Sequence, residues 1–148
     1  MLPFAILEDR TLYLDMFAGY FESLTINPYM VVLLDGHYFS FYPIVIPVLL
    51  TPLYLIPYLL LNALHYPIDM LNTSFYLIVF ILEKSSASLI AASSAVFCFM
   101  AWMELMRKEI AFICAAIFAL ATNTWTTSSQ ALWQQGMAEL ILSMLIYR

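Results

Sequence analysis

Charge is what this sequence has least of. Only 10% of its 148 residues are charged, five Lys and Arg against ten Asp and Glu, and glycine occurs three times. An ordinary soluble domain carries about a quarter charged residues, so this chain has too little polar surface to cover a water-soluble fold. Five bases and a net charge of −5 leave no basic patch for a nucleic acid. Cysteine is scarce as well. Cys98 and Cys114 both lie inside apolar runs, without a CxxC spacing or a clustered histidine, and read as small apolar fillers. P-loop, GxSxG, HExxH and dinucleotide-binding patterns are all missing. The opening MLPFAILEDR does not read as a signal peptide, because its apolar core is short and acids stand where a basic lead belongs.

What is present in quantity is apolar. Hydrophobic residues make up 64% and aromatics 16%, with a mean hydropathy of +0.90. Composition and length together predict an integral membrane protein with about four passes of ~20 residues each.

Residues 1–42 stand apart, with five of the ten acids (Glu8, Asp9, Asp15, Glu22, Asp35) and one base, Arg10. Leu12, Leu14, Met16, Phe17, Tyr20, Phe21 and Leu24 form a ragged apolar face that suits a juxtamembrane segment better than a span. Asn27-Pro28 and Asp35-Gly36 are turn signals, and the Tyr- and Phe-rich stretch 29–42 suits the headgroup level. Residues 43–64 carry no charge, but Pro43, Pro47, Pro52 and Pro57 recur every four or five positions. Proline removes a backbone donor, so this segment is expected to be broken, either a kinked span or a re-entrant pair of half-helices.

A short helix is expected over 74–84, then transmembrane helices over 85–106, 110–125 and 131–147. Ala87, Ala91 and Ala95 repeat at four-residue spacing, which lets helix backbones approach closely. The reading is an all-α, polytopic transmembrane helical bundle, a single membrane domain over 1–148. Arg107 and Lys108 place their short loop in the cytoplasm by the positive-inside rule. Residues 1–42 and 122–135 then face outward in the cell membrane, and re-entry of 43–64 satisfies this arrangement best.

Three constellations carry chemistry. In LDGHYFSFYP, Asp35, His37, Tyr38 and Tyr42 offer an acid, an imidazole and two phenols suited to a phosphate, a divalent metal or sugar hydroxyls; the alternative is a turn followed by an aromatic belt. In the stretch 122–140, Ser128, Gln135, Glu139 and Ser143 share one helical face, and Glu139 is an acid inside an apolar run. It is either a functional group or an interfacial one satisfied by Gln135. His65 and Asp69 are spaced like two metal ligands, but Pro67 interrupts them and a third ligand is missing nearby.

The order "LPFAILEDRTLYLD … DGHYFSFYPIVIPVLLTPLYLI … EKSSASLIAASSAVFCFMAWMELMRKE … ALATNTWTTSSQALWQQG" resembles the N-terminal part of prokaryotic multi-pass glycosyltransferases of the C superfamily. These are similar to dolichyl-phosphate-mannose-protein mannosyltransferases and lipid-A aminoarabinose transferases. The resemblance implies transfer of a sugar from a polyprenyl-phosphate donor to an extracytoplasmic acceptor, with a divalent metal as a possible cofactor. It also implies an outer cavity lined by Asp35, His37, Tyr38 and Tyr42, with Trp133, Gln134 and Gln135 as a second wall. Two departures stand out. Gln135 occupies the place of a family histidine, and the family's catalytic aspartate follows a first helix that would lie upstream of Met1. Asp15 and Asp35 are the substitutes this sequence offers. The chain is accordingly expected to be a piece of a longer protein that binds the donor without turning it over alone. The rival expectation is a non-catalytic multi-pass protein that packs on other membrane helices.

Overall fold

The computed structural model describes residues 1–24, 30–122, 124–129 and 134–148. The chain is mostly helical with one small two-stranded sheet, and it divides into two compact units, Met1–Leu82 and Glu83–Arg148.

The first unit opens with α1 (Leu2–Glu8), whose Pro3 sits in the first turn, where its missing N–H costs nothing. Next come a 3₁₀ turn (Asp15–Phe17), α2 (Ala18–Ser23), and the antiparallel strands β1 (Val31–Leu34) and β2 (His37–Ser40). The hairpin is the part that an all-α reading leaves out. Its two-residue loop is Asp35-Gly36 with φ of +51° and +85°, both in the region that a tight right-twisting hairpin demands. Val31 pairs with Ser40 and Leu34 with His37. Tyr13 bridges Phe39, and the Leu14 amide donates to the Tyr38 carbonyl at 2.7 Å. The segment around Tyr13 therefore flanks β2 on the side opposite β1.

Residues 43–64 do not form two half-helices. They form one helix, α3 (Val45–Ala63), with Pro52 and Pro57 inside it. Pro47 falls in the first turn, where amides have no intrahelical partner, so only Pro52 and Pro57 remove ladder bonds. The Thr51 hydroxyl donates to the Pro47 carbonyl at 2.9 Å. At the far end His65 takes φ +51°, the His65 amide donates to Asn62 and the Tyr66 amide to Leu61. This is the paired bonding of a Schellman stop. Asp69 accepts from the Leu71 amide and Asn72 from the Ser74 amide, both at 3.0 Å, so Asn72 caps the following helix. His65 and Asp69 thus steer the chain between two helices.

The stretches read as a short helix (74–84) and a span (85–106) run together as α4 (Thr73–Met103). Glu83 and Lys84 interrupt the apolar run but not the helix, because both residues are good helix formers. α3 and α4 are long and apolar enough to cross a membrane. The core of the first unit is aromatic. Phe4 is fully buried, edge-on to Tyr54 at 5.6 Å and to Phe75 at 5.3 Å. Leu14, Phe17 and Phe21 complete the cluster with Leu61, Met70 and Val79. Of the ragged face 12–24, positions 14, 17 and 21 turn inward, whereas Leu12 and Leu24 stay exposed.

The second unit contains the rest of α4, then α5 (Lys108–Ala121), a π-helical turn (Thr124–Ser128) and α6 (Gln134–Tyr147). Its buried positions are mostly small, among them Ala87, Ala91, Ser94, Ala101, Ala111, Ala115 and Ser143, with Ile90 and Thr124 the larger ones. Gly136 lets α6 approach the π turn, since a Cβ there would meet Ser128 at 3.4 Å. Ser88 of α4 donates to the Ser129 carbonyl at 3.3 Å. The Thr122 and Ser129 hydroxyls each bond back to a carbonyl four residues earlier, which satisfies polar groups that apolar surroundings would leave exposed.

Candidate functional site

The polar site of the first unit forms where β2 passes the 3₁₀ turn. Asp15 places one carboxylate oxygen 2.7 Å from His37 Nδ1, and the other accepts the Tyr38 amide at 2.7 Å. Tyr13 stacks on the imidazole, with ring centroids 4.5 Å apart and planes 16° from parallel. It also meets Phe39 edge-on at 4.9 Å. The backbone accounts for this assembly. Tyr13 and Asp15 lie two residues apart, as do His37 and Phe39, and both segments are paired around the Tyr13–Phe39 bridge.

Electrostatics sharpen the pairing. The Tyr38 amide first, and the His37 ring second, hold the Asp15 carboxyl below its ordinary range. Asp15 is therefore an anion at neutral pH with no proton to share. The short contact requires the imidazole to donate from Nδ1, which leaves Nε2 as the ring's other hydrogen-bonding atom. The His37 side chain is about half exposed (49%) and Asp15 is 39% exposed. A contact so open to water adds little to stability. Its consequence is an imidazole with one nitrogen engaged, one face covered and one nitrogen left over.

The other expected residues are distributed unevenly. Tyr38 belongs to the site through its amide, while its ring packs against Phe21 at 5.2 Å. Asp35 is exposed in the hairpin turn. Tyr42 is exposed just past β2, where its amide bonds the Ser40 hydroxyl at 3.2 Å. Gln134 and Gln135 open α6 in the second unit and are exposed; Trp133 and Asn27-Pro28 lie outside the described residues. Glu139 keeps one carboxyl oxygen buried without a hydrogen-bond partner among the described residues, so Gln135 does not satisfy it. Tyr13 is the member that sequence reasoning missed, although its two-residue spacing from Asp15 was the available signal.

A divalent metal does not fit this pair by itself. Among the described residues no three of His, Cys, Asp and Glu come together in a way that could hold an ion. Asp15 and His37 would offer two donors already engaged with each other. Set against family models, curated proteins and solved structures, the chain gives no match.

Proposed function

We propose that this chain is a multi-pass membrane protein, a glycosyltransferase-like segment whose first unit receives the sugar-phosphate head of a polyprenyl-phosphate donor on the extracytoplasmic side. The observation that carries the reading is the Asp15–His37 pair under Tyr13, set in the same unit as the apolar helix α3. Such a site combines an imidazole and nearby aromatic rings, which suit a sugar, with an apolar neighbourhood for a prenyl chain. Asp35, Tyr38 and Tyr42 belong to the same proposed site in the first unit. In the proposed topology Arg107 and Lys108 are cytoplasmic and residues 1–42 are outside, which requires that only one of α3 and α4 crosses the membrane, since two crossings would return residue 107 to the side of residues 1–42.

The test is binding of a fluorescent polyprenyl phosphate by the full chain in nanodiscs. His37→Ala combined with Tyr42→Phe should weaken binding, while Glu139→Gln should change it little. Equal binding by all three chains would overturn the reading. An impermeant maleimide should label a single cysteine at position 35 only from outside, in a Cys98- and Cys114-free background. The second reading, a non-catalytic partner of other membrane helices, is favoured by Ser88 and Ala92, small residues exposed at four-residue spacing on α4.

A further inference from the structure

We propose that Asp15 and His37 form a proton-accepting dyad in which His37 Nε2 is the working atom and Asp15 is a positioning residue. The role assigned to Asp15 thus differs from that of a catalytic carboxylate. Both of its oxygens are already in use, one on the Tyr38 amide and one on His37 Nδ1, each at 2.7 Å. A carboxylate occupied on both oxygens is poorly placed to take a substrate proton. The imidazole is better placed. Its Nδ1 is held by an anion, its face is covered by Tyr13, and half of its side-chain surface reaches solvent. A fixed Nδ1–H tautomer directs the lone pair to Nε2, the atom that receives a proton.

The ligand class is an alcohol. On the sugar-transfer reading, on which this role rests, Nε2 takes the proton of the acceptor hydroxyl. The oxygen's electron pair forms the new bond to the anomeric carbon. The bond from that carbon to the donor phosphate breaks, its electrons leave with the phosphate, and the imidazolium then releases its proton to water. A positioned base of this kind contributes about 10²–10⁴-fold to a rate.

The dyad is tested without any lipid. In the full chain, ¹⁵N-labelled at histidine and assigned with His65→Gln, the neutral His37 ring should carry its proton on Nδ1. Diethyl pyrocarbonate should then modify His37 at Nε2. Asp15→Asn retains an oxygen for the Tyr38 amide but removes the charge, so it separates a structural clamp from a positioning role. It should shift the tautomer ratio toward Nε2–H and slow modification about three- to ten-fold. Glu22→Gln, at an exposed acid of α2, should alter neither. A wild-type ring protonated on Nε2, or an Asp15→Asn chain that reacts at the wild-type rate, overturns the proposal. Loss of donor binding with the dyad signature intact overturns the sugar-transfer reading alone, whereas the reverse outcome overturns the dyad alone.

Discussion

The two units solve the same packing problem with opposite materials. In Met1–Leu82 the interior is made of large rings, Phe4, Phe17, Phe21, Tyr54 and Phe75, which fill volume between short elements. In Glu83–Arg148 most buried positions are Ala, Ser and Gly, with Ile90 and Thr124 the larger exceptions, and the small residues let helix backbones come close. The contrast follows from geometry. α1, the 3₁₀ turn and α2 are three to seven residues long, too short to hold position through backbone contact, so they depend on rings as anchors. Long helices pack over many turns, and each small residue adds a little close contact. The difference also places the chemistry. The hairpin and the irregular segment beside it carry the Asp15–His37 pair, because paired extended segments bring residues 22 positions apart within hydrogen-bond reach.

This comparison can be broken from either side. The largest effect is expected for Phe4→Ala, which removes a fully buried ring with two edge-on neighbours and should cost the first unit about 3–5 kcal/mol. All three tryptophans (Trp102, Trp125 and Trp133) fall within the sequence range Glu83–Arg148 of the second unit. Their fluorescence transition should stay in place while amide exchange across residues 2–8 accelerates. A matching shift of the tryptophan transition would show that the units are not separate in stability.

Next in size is Ala91→Leu, which forces extra volume into a position 5% exposed and should cost about 1–3 kcal/mol by overpacking. Here the tryptophan transition should move and exchange over residues 2–8 should not. Phe97→Leu, at a half-buried position, should be milder than either. Equal shifts for Ala91→Leu and Phe97→Leu would remove the case for packing by small residues.

The smallest effect concerns acid. The folded Asp15 carboxyl titrates below its unfolded value, so its contribution is complete above the ordinary carboxylate range. It is lost as the pH falls through the depressed value. Protection of the Tyr38 amide, measured against its intrinsic exchange rate at each pH, should therefore be high at neutral pH and fall in acid more steeply in the wild type than in Asp15→Asn. Identical pH profiles would mean that the carboxylate does not hold that amide.

Much of the architecture was readable from residue order. The apolar runs predicted long helices, the repeat Ala87, Ala91 and Ala95 marked a close-packing face on which the first two are buried and Ala95 half-buried, and Asp35-Gly36 marked a turn. The strands on either side were legible too, since Asp-Gly between β-forming residues is a strong hairpin signal. Reading Tyr and Phe density as a membrane belt obscured it. Proline spacing misled for a different reason. Proline frequency says how many amides are missing, but not that Pro47 would fall in the first turn, where none is needed. His65 and Asp69 looked like ligands because spacing does not reveal that one ends a helix and the other braces a turn.

Composition alone determined that this chain carries far more apolar surface than its charges can cover, and the places of the helical stretches followed from the runs, though not that 74–84 and 85–106 join in one helix. Tertiary structure alone decided that Asp15 meets His37 rather than Asp35, and that Tyr13 covers the imidazole. Those contacts depend on which extended segments pair and in what register. Register is set by backbone hydrogen bonds between distant residues, and the local pattern does not encode it.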